Sequence, residues 1–235
     1  DWYRSRGLGD VYKRQIKIPT QNGQWLVADL FKPYSATANN PSPLVIVVPG
    51  FQRSKETLSN IAIELSRRGI VTISIDPYAQ GLSSSSFSTR AATKEGYGMF
   101  SLVDYVYDTS ILNYIDKDKI GVTGHSAGGL AAIRSAQHFG KIARKKNTKS
   151  KVHSVFVSGM LRMGFKEEDL KKIRSTVGVS YALYDEGAWQ NELKNGNLED
   201  APEILRLVNL QNNSEYTIRK VEMEKYYGSI DNNSA

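Results

Sequence analysis

KIGVTGHSAGG, residues 119–129, changes its hydrophobic period within a few positions. Up to Thr123 it reads as a short buried strand, and from Ala127 its small residues open a helix. Gly124-His125-Ser126-Ala127-Gly128 fills the joint as G-x-S-x-G. A serine held there occupies a sharp, strained turn, and glycines two positions to either side let the helix and the neighbouring backbone approach closely. A plain packing turn with a capping serine would use the same residue types. The position between strand and helix is what makes Ser126 a candidate nucleophile, with Gly124 and Gly128 as the glycines that shape the turn.

Working outward, the elements alternate. IKIPTQNGQWLVADLFKP (16–33) gives two strands around Gln21-Asn22-Gly23, where Asn-Gly supplies the positive φ of a tight hairpin. LVIVV (44–48) is uniformly apolar, as in a strand covered on both faces. After PGFQRS, Ser54 is placed to cap a helix whose Leu58, Ile61, Ala62 and Leu65 share one face, with Gly69 closing it. IVTISID (70–76) is the next buried strand, and strand, helix, strand at this spacing implies a right-handed crossover and a parallel pair. A helix over 97–114, strands over 119–123, 152–158 and 177–184, and helical stretches from Ala127 and over 166–174 complete the pattern. The fold class is α/β: a doubly wound, mostly parallel sheet with a leading β-hairpin.

Length and composition permit one domain of 235 residues, 40% hydrophobic and 23% charged. No apolar run approaches the roughly 18 residues a membrane span needs. With no cysteine and only three histidines there is no disulfide framework and no metal site is expected, nor any other cofactor. The net charge of +7 gathers partly in KIARKKNTKSK (141–151), which carries six positive residues. Basic residues at a helix C-terminus complement its dipole, and no aromatics interleave with them, so no nucleic-acid partner is expected. Residues 1–15 show no periodicity; SRGLGDVYKRQ resembles translated adapter sequence and is set aside, leaving 16–235 as the domain, expected to be incomplete at its C-terminus and to lack the last strand and helix of the sheet.

The succession LVIVVPGF, IVTISIDPYAQGLSSSS, KIGVTGHSAGG and VGVSYALYDEG resembles the α/β-hydrolase fold, and within it the bacterial dienelactone-hydrolase-like and peptidase-like serine esterases. That resemblance implies a serine acyl hydrolase acting on small carboxylic esters through an acyl-enzyme, with Ser126 as nucleophile. It implies an oxyanion hole from the backbone amides of Phe51 and Ala127, although Pro49-Gly50 stands where the family carries His-Gly. In the family's order of serine, acid, histidine, Asp185 at the end of VGVSYALY is the expected acid, with Glu186 as its neighbour. Asp76, in DPYAQGLS, precedes the serine and reads as a turn former.

The base is the difficulty. His125 adjoins Ser126 and leaves the backbone in another direction. His138 lies twelve residues along the following helix, roughly 18 Å away. His153 starts a parallel strand at the edge opposite the catalytic one. No histidine follows Asp185. The expectation is that the catalytic histidine lies beyond Ala235 and that the chain by itself hydrolyses esters poorly; the alternative is a noncatalytic hydrolase-fold binding protein. Tyr97, Met99 and Trp189 are candidates for the pocket rim, with ordinary core packing as their plainer use. Proteins similar to these sometimes carry membrane helices outside the hydrolase domain, so membrane association is expected only through segments outside this chain, and the sequence assigns no compartment.

Overall fold

The computed structural model describes residues 10–20, 23–84, 96–159 and 165–180. Their strands are β1 (Val11–Pro19), β2 (Trp25–Pro33), β3 (Ser42–Val48), β4 (Val71–Ile75), β5 (Ile115–His125), β6 (Ser154–Ser158) and β7 (Thr176–Ser180). They form one sheet in the order β1-β2-β4-β3-β5-β6-β7. β1 and β2 make the antiparallel hairpin, β2 joins β4 antiparallel, and every pair from β4 to β7 is parallel.

Alternation along the central strands explains the layers. Leu44, Ile46 and Val48 turn to one face and are fully buried with the helices α2 (Met99–Asp108) and α3 (Ala127–Lys146). Val45 and Val47 turn to the other, where Phe31, Ala62 and Leu58 meet them from β2 and from α1 (Ser59–Arg67) and the turn before it. Burial on both faces is why β3 shows an unbroken apolar run. Parallel pairing throughout this part puts the carboxyl ends of β3 and β5 to β7 on one edge of the sheet, the edge that carries Ser126.

The boundaries differ from the sequence reading in places that have physical causes. β1 begins at Val11, five residues ahead of Ile16, because an edge strand is held by backbone pairing to β2 while Tyr12 to Gln15 face solvent and leave no alternation. Ile61 is 39% exposed and does not belong to the buried face of α1, which is built from Ala62 and Ser66 with Leu58 and Leu65 half-buried. α2 stops at Asp108, where Thr109 turns extended. The stretch 166–174 forms a single helical turn, α4 (Glu167–Leu170), which seats Leu170 and Ile173 in the core. α3 ends as expected, with Arg144, Lys145 and Lys146 in its last turn and Asn147 left-handed behind them.

Two histidines serve this scaffold. His138 on α3 stacks on Phe100 with ring centres 4.1 Å apart. His153, at the amino edge of β6, donates its backbone N–H to the Ile120 carbonyl (2.8 Å) and accepts the Ile120 N–H at Nδ1 (3.2 Å). Burial, opposed in part by nearby carboxylates, holds both imidazoles below their ordinary value of 6.5. The native state therefore binds these protons less readily than the unfolded chain, so their contribution is present above 6.5 and is lost as pH falls toward the depressed native values. Urea midpoints are expected to drop between pH 7.5 and 5.5. The pair His138→Phe and His153→Asn, which keeps the stack and an acceptor for Ile120, should flatten that slope; an unchanged slope would assign it elsewhere.

Candidate active site

β5 ends at His125 and α3 begins at Ala127, so Ser126 alone makes the change of direction. It does so at φ 53° and ψ −120°, a conformation that suits glycine and costs a residue with a Cβ on the order of 1–3 kcal/mol. Its surroundings impose it. The Ser126 N–H donates to the Ser158 carbonyl at the end of β6 (3.0 Å), and the Ser126 carbonyl accepts the Leu130 N–H (3.1 Å). The side chain stands exposed at the carboxyl edge.

The two glycines of the motif permit close approach. A Cβ on Gly124 would lie 2.4 Å from the carbonyl of Gly128, and one on Gly128 would lie 2.1 Å from the Val48 carbonyl oxygen. α3 thus touches the ends of β5 and β3 backbone to backbone, which no side chain would allow.

The chain leaving β3 passes beside Ser126. A Cβ built on Gly50 would lie 3.4 Å from the Cβ of Ser126 and 3.6 Å from Nδ1 of His125. Gly50 to Arg53 form a turn closed by the Arg53 N–H on the Gly50 carbonyl (3.2 Å), with Gln52 left-handed at φ 56°. Among the described residues neither the Phe51 N–H nor the Ala127 N–H donates to any acceptor. The second of these amides opens α3, where the helix dipole favours negative charge. The Phe51 side chain is 61% exposed.

A second loop, Asp76 to Ser84, braces this turn. Gln80 donates Nε2 to the carbonyls of Gly50 (3.2 Å) and Arg53 (2.7 Å) and accepts the Gln52 N–H at Oε1 (2.9 Å). Asp76, read as a turn former, is fully buried. Its carboxylate accepts the backbone N–H of Lys55 (2.7 Å) and of Leu82 (3.0 Å), and the Lys55 ammonium lies 3.3 Å away. It caps the 3-10 turn Lys55–Leu58 in place of Ser54, whose hydroxyl goes instead to Glu56 at 2.5 Å. Hydrogen bonds from Lys55 and then Ser54 hold the Glu56 carboxyl down at about 2. Gly81 is required because a Cβ there, at φ +54°, would lie 2.2 Å from the Asp76 Cγ. Gln80 and Asp76 are the residues that sequence reasoning missed; the loop DPYAQGLS was visible, but its partners lie 21 to 30 positions away.

Of the other candidates, Met99 is fully buried in the main core at the start of α2, and Tyr97 packs half-buried against that core with its carbonyl accepting the Tyr78 N–H (3.3 Å). Asp185 and Trp189 lie outside the described residues. β7 ends at Ser180, level with Ser158 and so two strand spacings, about 10 Å, across the edge from the end of β5. None of the three histidines makes a hydrogen bond to Ser126 among the described residues; His138 and His153 are engaged in the scaffold.

No curated protein matches this chain. Among solved structures it is similar to the protein m3DLH, at 16% identity and a TM-score of 0.61 over 89% of this chain and 80% of that one. It is also similar to a dienelactone-hydrolase-like promiscuous phosphotriesterase from metagenomic libraries, at 14% identity and a TM-score of 0.57 over 79% of this chain and 77% of that one. A bacterial heroin esterase aligns at 19% identity and a TM-score of 0.50 over 65% of this chain and 45% of that one. The chain spans less than half the length of that esterase. These likenesses agree on the α/β-hydrolase fold. The family model described as PETase, PET hydrolase-like, matches residues 10–158, more than half of the chain, and the chain accordingly belongs to that family of α/β hydrolases.

Proposed function

We propose that the protein is a serine hydrolase of carboxylic esters working through an acyl-enzyme. The observation that carries this reading is the backbone of Ser126, strained at φ 53° between β5 and α3, with the Gly50–Arg53 turn packed against it and the Phe51 and Ala127 amides donating to no acceptor among the described residues. In this reading Ser126 Oγ attacks the ester carbonyl carbon and gives its proton to a base. The tetrahedral oxyanion receives hydrogen bonds from the two amides, each such donor contributing about 3–4 kcal/mol to the transition state. Collapse expels the alcohol, which takes the proton from the base. Water then attacks the acyl-serine in the same manner, releasing the acid and restoring the hydroxyl.

The base is a histidine oriented by Asp185, the first acid after β7. His138 and His153 are engaged in the scaffold, and His125, next to Ser126 in the chain, makes no hydrogen bond to it among the described residues, so the reading takes its base from outside these three histidines. That same observation favours the second reading, a noncatalytic hydrolase-fold binding protein. Extending the chain through its downstream coding sequence separates the two. The extended chain is expected to encode a histidine after one further strand, to react covalently with a fluorophosphonate at Ser126, and to lose that reaction in Ser126→Ala. An extended chain that carries such a histidine yet leaves Ser126 unlabelled would establish the binding protein instead.

A further inference from the structure

We infer that Gln80 is a positioning residue for the hydrolysis: its carboxamide fixes the Gly50–Arg53 turn and thereby sets the direction of the Phe51 amide. The inference rests on the reading of that turn as the oxyanion site. Three observations lead to it. First, the turn is not self-sufficient. Its third residue, Gln52, is left-handed at φ 56° without being glycine, and its one internal hydrogen bond is long at 3.2 Å. A turn with positive φ at that position is adopted readily by glycine or asparagine and at a cost by other residues.

Second, one flat carboxamide spans the whole turn. Gln80 uses both donor directions on the carbonyls of Gly50 and Arg53 and its acceptor on the N–H of Gln52, so the residues on either side of Phe51 are held at three points. Free to rotate, the Phe51 peptide could point its N–H away from Ser126; tethered on both sides, it cannot. Only a primary amide satisfies this set, since a carboxylate offers acceptors alone and would face two carbonyl oxygens.

Third, the brace is itself anchored to the sheet. The loop bearing Gln80 is tied to β2 by Ser83, which accepts the Val27 N–H (2.8 Å) and donates to the Asp76 carbonyl (2.7 Å), and by Ser84, which accepts the Trp25 N–H (2.9 Å). The path runs from β2 through the 76–84 loop to the turn beside Ser126. In this role Gln80 acts through the turn.

The test uses Gln80→Ala and Gln80→Glu. In the 235-residue chain, hydrogen exchange at Gln52 and Arg53 is expected to accelerate at least about 10-fold, while amides of β5 and β6 keep wild-type rates. In the extended chain, Gln80→Ala is expected to lower kcat about 10- to 100-fold with KM within about 2-fold, because a misplaced donor weakens the transition state more than the bound ester. Gln80→Glu, which sets a negative charge beside the oxyanion, should be slower still. A residue serving stability alone would lower the melting temperature and leave kcat per fluorophosphonate-reactive site intact. Unchanged exchange at Gln52 overturns the brace. Faster exchange with unchanged kcat overturns the positioning role while the reading of Ser126 stands. Wild-type turnover that survives Ser126→Ala overturns the catalytic reading, and the positioning role with it.

Discussion

Replacing Ser126 with glycine is expected to raise the stability of the fold by about 1 kcal/mol while lowering kcat for ester hydrolysis by a factor on the order of 10⁶. The two effects come from different atoms. The stability gain comes from the backbone: at φ 53° and ψ −120° the serine Cβ is strained, and glycine carries no such atom. Relief of roughly 1–3 kcal/mol is offset by the roughly 0.5–1 kcal/mol of extra freedom that glycine gives the unfolded chain. In the proposed mechanism the loss of activity comes from the hydroxyl, which would form the acyl-enzyme. Residual turnover of activated esters, about 10³–10⁴ over water, would be what the oxyanion amides supply unaided.

Ser126→Ala is the necessary partner of this experiment. Alanine removes the same hydroxyl but keeps the Cβ and therefore the strain, so its stability should stay close to that of the wild type. The difference between the glycine and alanine variants isolates the backbone term. Chemical denaturation of the 235-residue chain measures it, and ester hydrolysis by the extended chain measures the other half. A glycine variant less stable than the alanine variant, as at an ordinary exposed position, would show that the turn is not strained.

The elements readable in the sequence were those whose residues announce their own surroundings. β3 is buried on both faces, and its unbroken apolar run follows from that; β4 is buried on both faces as well, with Thr72 and Ser74 between its aliphatic residues. Asn22-Gly23 marked the hairpin, and the G-x-S-x-G joint marked Ser126, because a tight strand-to-helix turn needs glycine where backbones touch. What escaped was set by partners distant in sequence. The first residues of β1 carry no alternation because hydrogen bonds to β2, not side-chain burial, hold them. Ser54 looks like a helix cap on local grounds, yet a carboxylate 21 residues away takes the Lys55 amide. Gln80 is polar and sits in a polar loop; nothing local distinguishes an amide that braces a turn from one that faces water. The strained turn at Ser126 was thus legible in the sequence, and the residues that hold the neighbouring turn still were not.

Those supports give the second large effect. Asp76→Ala is expected to destabilise the fold by about 3–5 kcal/mol, the range for removing one partner of a buried ion pair. For a chain of this size that is a fall in melting temperature of roughly 6–20 °C. The carboxylate is fully buried and receives two backbone N–H groups and the ammonium of Lys55, itself 4% exposed. Burial pulls the Lys55 pKa down, but its hydrogen bond to Glu56 and the charge of Asp76 outweigh this and leave it above the ordinary value. Deleting the carboxylate leaves that charge with Glu56 alone, a side chain 58% exposed and screened by water. It also leaves the backbone amide of Lys55 with no acceptor. If the orphaned charge is the larger part of the cost, adding Lys55→Met to Asp76→Ala should recover at least about half of it, while Asp76→Asn, which keeps an acceptor but no charge, should fall between. If the orphaned amide dominates, Lys55→Met recovers little and Asp76→Asn approaches the wild type. A cost below about 1 kcal/mol for Asp76→Ala would mean that Asp76 does not fasten the turn preceding α1 to the loop that carries Gln80.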